Sequence, residues 1–357
     1  MRYSRFFSKK FNSGILCLLL CCTLLCGCGQ TENPTKVVLT TGLAKNEVFR
    51  IESISCSKPE IMVYLTNMQN QYENVYGQEI WETEVEGETL ENNVKDNALA
   101  KMAQVKTMNL MADDMGIELT SQEIKTVETA ADIYFDSLNN TEITAMEISR
   151  DTIVSLYKEY LRAKLVYQDI IKDINPEVSD DEARNMTLQR IFIYTYTLDG
   201  SGKRIEFSEN AKANAYERIE EAHARATEGE DFDTLVAEYN ESEDSFMSVG
   251  KADIESDYIR NMLFNLANDE ISPIITTNEG FVFVKCISTY DLAETDLNKV
   301  RIVENEKEEV FGQEYDAYVE NLTRMLNDSL WESINFIHDE NVTTSNFFEV
   351  ADEYLTE

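Results

Sequence analysis

Histidine is scarce in this chain. His223 and His338 are the only two in 357 residues, and each stands among polar neighbours in a helical pattern. Neither has a second His, a Cys or a spaced carboxylate set that would complete a metal site. Both read as surface residues. Ser55 and Lys58 form an S-x-x-K, a spacing in which a lysine can activate a serine, but the companion motifs of that chemistry are missing. The acid runs at 180–182 and 228–231 lack the alternating D-x-D-x-D-G spacing that wraps oxygens round calcium, so they read as solvated faces. No G-x-S-x-G elbow, P-loop, H-E-x-x-H or dinucleotide fingerprint occurs. Nucleophilic and phosphoryl-transfer chemistry lose support, and no metal or cofactor is expected.

The elements that must position any site are mainly helical. Apolar residues make up 43% of the chain, ample for a packed core, while 13 Gly and 4 Pro are too few for the tight turns of a β-sandwich. Lys and Arg number 31 against 67 Asp and Glu, a formal charge of −36. Such a chain repels phosphate backbones, so no nucleic-acid partner is expected.

The N-terminus differs from the rest. Arg2, Arg5, Lys9 and Lys10 precede a 12-residue apolar run, 14–25, too short to span a bilayer and typical of a secretory signal. It ends Leu25-Cys26-Gly27-Cys28, which resembles the bacterial lipobox. That resemblance implies lipidation at Cys28, anchoring on the outer face of the cell membrane and a mature charge of −40. Of seven cysteines the folded body then keeps Cys56 and Cys286, which is no disulfide framework.

Residues 89–115 place Leu90, Val94, Leu99, Met102, Val105 and Met108 on one helical face, with Gly116 as the stop. Thr120 and Glu123 offer a capping box for a helix to about 138, and the spacing predicts one long helix over 141–174 before Pro176. Residues 188–198 are the first convincing strand, with a turn at 199–202. Helical stretches at 209–227, 231–239 and 258–266 lead to a second strand at 280–288. A helical pattern over 300–337 is too apolar on one side to stand alone, and the N-terminal helices are its simplest partner. A small α/β unit is thus inserted between two halves of one helical domain.

Within that unit GEDFDTLVAEY (229–239) resembles the G-x-D-F-x-x-L-A-x-x-Y/F helix of parvulin-type peptidyl-prolyl isomerases. FNLANDEISPIITTNEGFVFVK (264–285) is similar to the same family's F-x-L-x-x-G-E-V-S-x-P-V-x-T-x-x-G-Y-H-I-I-K. The helix ending at Gly116, followed by IELTSQE (117–123), is similar to the N-terminal region of SurA and PrsA chaperones. Together these resemble PrsA-like foldase lipoproteins of Gram-positive bacteria. The implied fold is α+β: signal 1–27, tether and N-terminal segment 28–57, helical chaperone domain 58–185, parvulin-like domain 186–290, and completing helices 291–357.

The resemblance implies unfolded exported polypeptides as partners, with a homodimer left open. It also implies two site histidines, and in their places stand Arg190 and Val282. The family's proline pocket falls on Glu255 and Ile259, with Tyr258 or Met262 as substitutes, and FMSVGK (246–251) replaces G-G-D-L-G-W. The substrate-pocket candidates are Tyr194, Tyr196, Tyr258, Ile259, Met262, Phe264 and Phe281. The expected function is an extracytoplasmic, membrane-anchored foldase with a degenerate isomerase site. The alternatives are an isomerase working through Tyr194, Tyr196, Ile259 and Phe281, or a structural or ligand-binding surface lipoprotein.

Overall fold

The computed structural model describes residues 42–85, 87–200 and 202–355. The chain forms two compact units: one ends at Asp173 and resumes at Glu308, and the other is Ile174–Lys307. The export signal and Cys28 lie outside the described residues.

The first unit opens with an antiparallel pair, β1 (Glu47–Ile51) and β2 (Ile54–Ser57). Val48, Phe49, Ile51 and Cys56 are buried there, in a short β-prone run that becomes stable once a sheet partner covers it. Next come α1 (Lys58–Tyr76), a small hairpin of β3 (Glu84–Val85) and β4 (Glu88–Thr89), and α2 (Leu90–Met115). Then follow α3 (Ser121–Ser137), α4 (Asn140–Met146) and α5 (Arg150–Ile171).

Local chemistry sets these helix ends. Thr89 caps α2, Gly116 closes it in the left-handed conformation, and Thr120 with Glu123 forms the capping box of α3. The single helix expected over 141–174 is instead α4 and α5. Glu147 turns left-handed at φ 57 and ends α4, and Ser149 with Thr152 restarts the chain. That break lets Ile148 turn into the core.

The second unit begins with α6 (Asp180–Ala183) and the long strand β5 (Asn185–Tyr194). A hairpin follows, β6 (Tyr196–Leu198) with β7 (Arg204–Glu206), across the expected turn. Then come α7 (Glu209–Thr227), α8 (Phe232–Tyr239), β8 (Phe246–Gly250), α9 (Asp257–Phe264), β9 (Ile275–Thr276) and β10 (Gly280–Ser288). The sheet is antiparallel with order β8-β5-β10-β9. Beyond the two expected strands, β8 and β9 complete it. They are too short to carry a periodic signal of their own.

Gly280 lies where a Cβ would meet Ile193 O at 2.1 Å, so only glycine admits the β5–β10 contact. One sheet face buries Ile191, Ile193 and Phe283 under α7 and α8, and the other buries Met186, Leu188, Val284 and Cys286 under α9.

The chain continues as α10 (Leu292–Val319), whose residues from Glu308 onward belong to the first unit. The helix expected over 300–337 stops at Val319. Its place is taken by β11 (Arg324–Leu326), which pairs with β1 through Phe49↔Leu326, and by α11 (Asp328–Ser333). The last helix is α12 (Phe347–Tyr354).

Phe347 and Phe348 of α12 enter the core formed by Tyr64, Tyr134 and Tyr157, so the chain's end docks on its first helices. Buried Glu142 holds the approach: Oε1 accepts Thr343 N–H at 2.9 Å and Thr344 N–H at 2.8 Å, and Oε2 accepts Asn139 N–H at 2.8 Å. Among the described residues no helix is long and apolar enough to cross a membrane.

Candidate functional site

The side-chain alternation of β5 and β10 decides which candidate residues can meet. Val282 pairs with Phe192 on one side and Ile275 on the other, giving an apolar row across three strands. Arg190 and Tyr194 flank Phe192 along β5 and so share its face. Val282, Ile275 and Met247 are half-buried there, with Ile259 and Met262 of α9 in the same apolar cluster. Arg190, Val282, Tyr194, Ile259 and Met262 are thereby brought to one face.

The other candidates divide. Phe281 pairs with Ile193 on the opposite face, where its ring meets Tyr216 edge-on at 5.1 Å. It is not part of the row, because adjacent strand residues point to opposite sides. Phe264 is buried under the Arg184 guanidinium, 5.1 Å from its ring, and acts as core. Tyr258 is 77% exposed. Tyr196 stands on the hairpin, 5.2 Å from the Tyr194 ring, with Arg204 stacked 4.1 Å above it. Sequence reasoning missed Phe192, Met247 and Ile275. The period of two would have found Phe192, which stands two residues from Arg190.

The outer edge of β5 beyond β8 is closed by the loop after α8. Arg190 N–H donates to Ser245 O at 2.7 Å, Phe192 N–H to Asn240 Oδ1 at 2.9 Å, and Tyr194 N–H to Glu241 Oε2 at 2.9 Å. Glu241 N–H returns a bond to Phe192 O at 2.9 Å, so this edge has no free ladder for a peptide strand. Arg190 Nε donates to Asp244 O at 3.0 Å. Any ligand here meets a side-chain surface.

The site's titratable groups are few. Burial raises the Tyr194 phenol above its ordinary value, neighbouring Tyr196 adds to this, and Arg190 opposes it. Cys286 is buried, free and raised by burial, which leaves a poor nucleophile. Cys56 is likewise buried and free, in the other unit. His223 is half-buried rather than at the surface: its Nε2 lies 2.9 Å from Ser272 O and its ring stands edge-on to Phe283. It ties α7 to the chain before β9. Lys58 pairs with Glu147, so the S-x-x-K forms no activated serine.

Among the described residues no group of three or more His, Cys, Asp or Glu is gathered to hold a metal. The helical unit has an open groove of about 320 Å³ lined by Ile117, Leu165, Gln168, Asp169 and Lys172. Its charges are paired with each other. In the strand-face row Val282 and Ile275 are half-buried and Phe192 is buried.

Residues 196–288 match the model of the rotamase family, the PPIC-type PPIASE domain. The match includes Val282 and begins after Arg190. Among solved structures, the chain is similar to the peptidylprolyl isomerase PrsA from Bacillus cereus, at 15% identity over 75% of this chain and 97% of that one, with a TM-score of 0.35. The foldase PrsA from Streptococcus pneumoniae is similar at 16% identity over 76% and 98%, TM-score 0.29. A SurA-like chaperone of Campylobacter jejuni is similar at 11% identity over 78% and 98%, TM-score 0.29. No curated protein matches the chain.

Proposed function

We propose that this protein is an extracytoplasmic foldase, held to the membrane by lipid on Cys28, that binds unfolded exported polypeptides and whose rotamase site has been reduced to a binding surface. The observation that carries this reading is the row Ile275–Val282–Phe192, whose Ile275 and Val282 lie in the segment matching the rotamase model, with Val282 and nearby Arg190 standing where the family resemblance expects imidazoles. Half-buried apolar side chains favour a client's apolar segment at about 25 cal/mol per Å² removed from water. Without a donor aimed at the twisting amide, they do little to lower its barrier.

Two measurements test this. In light scattering, stoichiometric protein is expected to suppress aggregation of an unfolded client. In a protease-coupled assay on a proline tetrapeptide, the rate is expected to stay close to that of buffer. No suppression would sink the reading, and rapid isomerisation would replace it with the working-isomerase alternative. For the anchor, mass spectrometry of protein extracted from membranes is expected to find Cys28 as the first residue, carrying acyl chains. An unlipidated N-terminus would remove the anchor from the proposal.

A further inference from the structure

The sheet of the inserted unit ends on β9 at one side and on β8 at the other. Proteins guard such edges with shortness, charge or proline, because unpaired backbone N–H and C=O groups invite another strand. β9 is blunted by its length of two residues. β8 has five, Phe246-Met247-Ser248-Val249-Gly250, with no charge and no proline among them.

The register fixes which backbone groups of β8 point away from the sheet. Arg190 N–H donates to Ser245 O at 2.7 Å, one position beyond the pair Gln189↔Phe246. Hydrogen-bonded pairs alternate along an antiparallel ladder, so the next ones are Leu188↔Met247 and Met186↔Val249. Phe246, Ser248 and Gly250 therefore turn their N–H and C=O outward. Gly250 N–H donates to Asp253 Oδ2 at 2.7 Å. Phe246 and Ser248 are exposed, and among the described residues their outward backbone groups meet no partner.

That ladder defines its occupant. N–H and C=O groups presented at alternate residues are matched by extended backbone, whereas a helix or a folded surface has bonded its own groups already. An added strand also continues the candidate site. One set of its alternating side chains lies beside Met247, on the face that carries Ile275 and Val282, and the other beside Phe246, which is 56% exposed. A second copy pairing β8 with β8 would bring another −36 to an acidic protein, with only a few hydrogen bonds to hold it.

Resting on the foldase reading above, we propose that the outer edge of β8 takes up an extended segment of an unfolded client as a further strand of the sheet. Backbone pairing supplies the recognition, and Met247 and Phe246 favour apolar side chains at alternate positions. A client segment that folds withdraws its backbone groups into its own structure and leaves the edge.

The test uses the full chain, fluorescence anisotropy and two labelled peptides of alternating valine and threonine. One is N-methylated at every second residue, which leaves one edge able to pair. The other has the same side chains and is N-methylated throughout. The first is expected to bind, and the second to bind at least tenfold more weakly. Ser248→Pro removes an outward N–H without removing a bond to the β5 backbone, and is expected to weaken the first peptide roughly tenfold. Ser248→Ala keeps that N–H and loses only the hydroxyl that accepts from Asn185 Nδ2 at 3.1 Å, so its affinity is expected to match wild type. In hydrogen exchange, the amides of Phe246 and Ser248 are expected to slow when the first peptide is added, while those of Met247 and Val249 are slow throughout.

Equal affinity for the two peptides, equal affinity of Ser248→Pro and wild type, or amides that do not slow would overturn the inference. So would Ser248→Ala binding as weakly as Ser248→Pro, or sedimentation showing a dimer that Ser248→Pro dissolves, which gives the edge to a second copy. Aggregation suppression separates the two levels. If wild type suppresses client aggregation but binds neither peptide, only the edge is refuted. If it does neither, the foldase reading falls with it.

Discussion

Replacing Phe347 by alanine is expected to lower the unfolding free energy of the helical unit by about 3–5 kcal/mol. The ring is fully buried, stacked at 4.6 Å on Tyr157, with Tyr134 at 5.3 Å, Phe348 at 5.2 Å and Tyr64 at 5.4 Å. The backbone there is pinned from both sides: Phe347 N–H donates to Asn67 Oδ1 at 3.0 Å, and Tyr157 OH donates to Phe347 O at 2.9 Å. Neighbours held this way cannot collapse into the space left by the ring, so the cavity cost adds to the lost transfer energy. Both tryptophans, Trp81 and Trp331, lie in this unit, and Trp81 meets Phe336 at 4.6 Å. Urea unfolding followed by tryptophan fluorescence therefore reports the helical unit alone. A loss under about 1 kcal/mol would show that the chain's end does not anchor this core.

The second large effect is expected at Lys106, whose side chain is 2% exposed. Its ammonium lies 2.6 Å from Glu60 Oε1 and 2.8 Å from Glu159 Oε1, joining α1, α2 and α5. Lys106→Met leaves two carboxylates facing each other in a buried site and is expected to cost about 3–5 kcal/mol. The triple variant E60Q/K106M/E159Q removes all the charge and is expected to recover most of that loss. A triple variant as unstable as Lys106→Met would show that packing, rather than stranded charge, is what the lysine supplies.

The pH dependence has a definite sign. Burial alone would pull Lys106 down, but Glu159 and Glu60 outweigh it and the ammonium sits above its ordinary value. Its contribution is fully present below the ordinary lysine range and is lost as pH rises through the raised value. Burial also raises the phenols of Tyr64, Tyr157 and Tyr160, and pushes Tyr134 up to about 12. The folded state therefore holds more protons than the unfolded state above about pH 10. Wild-type stability is expected to fall there by about 1.4 kcal/mol per pH unit for each retained proton. Glu159 is raised by burial, so acid favours its folded form. The Lys106→Met deficit is accordingly expected to shrink as pH is lowered from about 7 to 5. A deficit that grows on acidification would contradict the stranded-carboxylate account.

Helix starts and stops were legible because their chemistry is local. Thr120 and Glu123 cap each other over three residues, and Gly116 relieves a strain that any Cβ would feel. The break at Glu147 was not, since nothing in the periodicity of 141–174 marks a residue that turns left-handed to admit Ile148 to the core. Nor was the edge that closes β5, which depends on Asn240 and Glu241 returning about fifty residues later.

From the residues alone came the export signal as an expectation, the helical majority, the inserted unit with its rotamase motifs, and Arg190 and Val282 at the expected histidine positions. Tertiary structure decided which side chains meet. The β5–β10 register set Val282 beside Phe192 and sent Phe281 to the opposite face, because alternation assigns faces only once a partner strand is chosen. The pairing of β1 with β11 joins Phe49 to Leu326 across most of the chain, which no local pattern encodes.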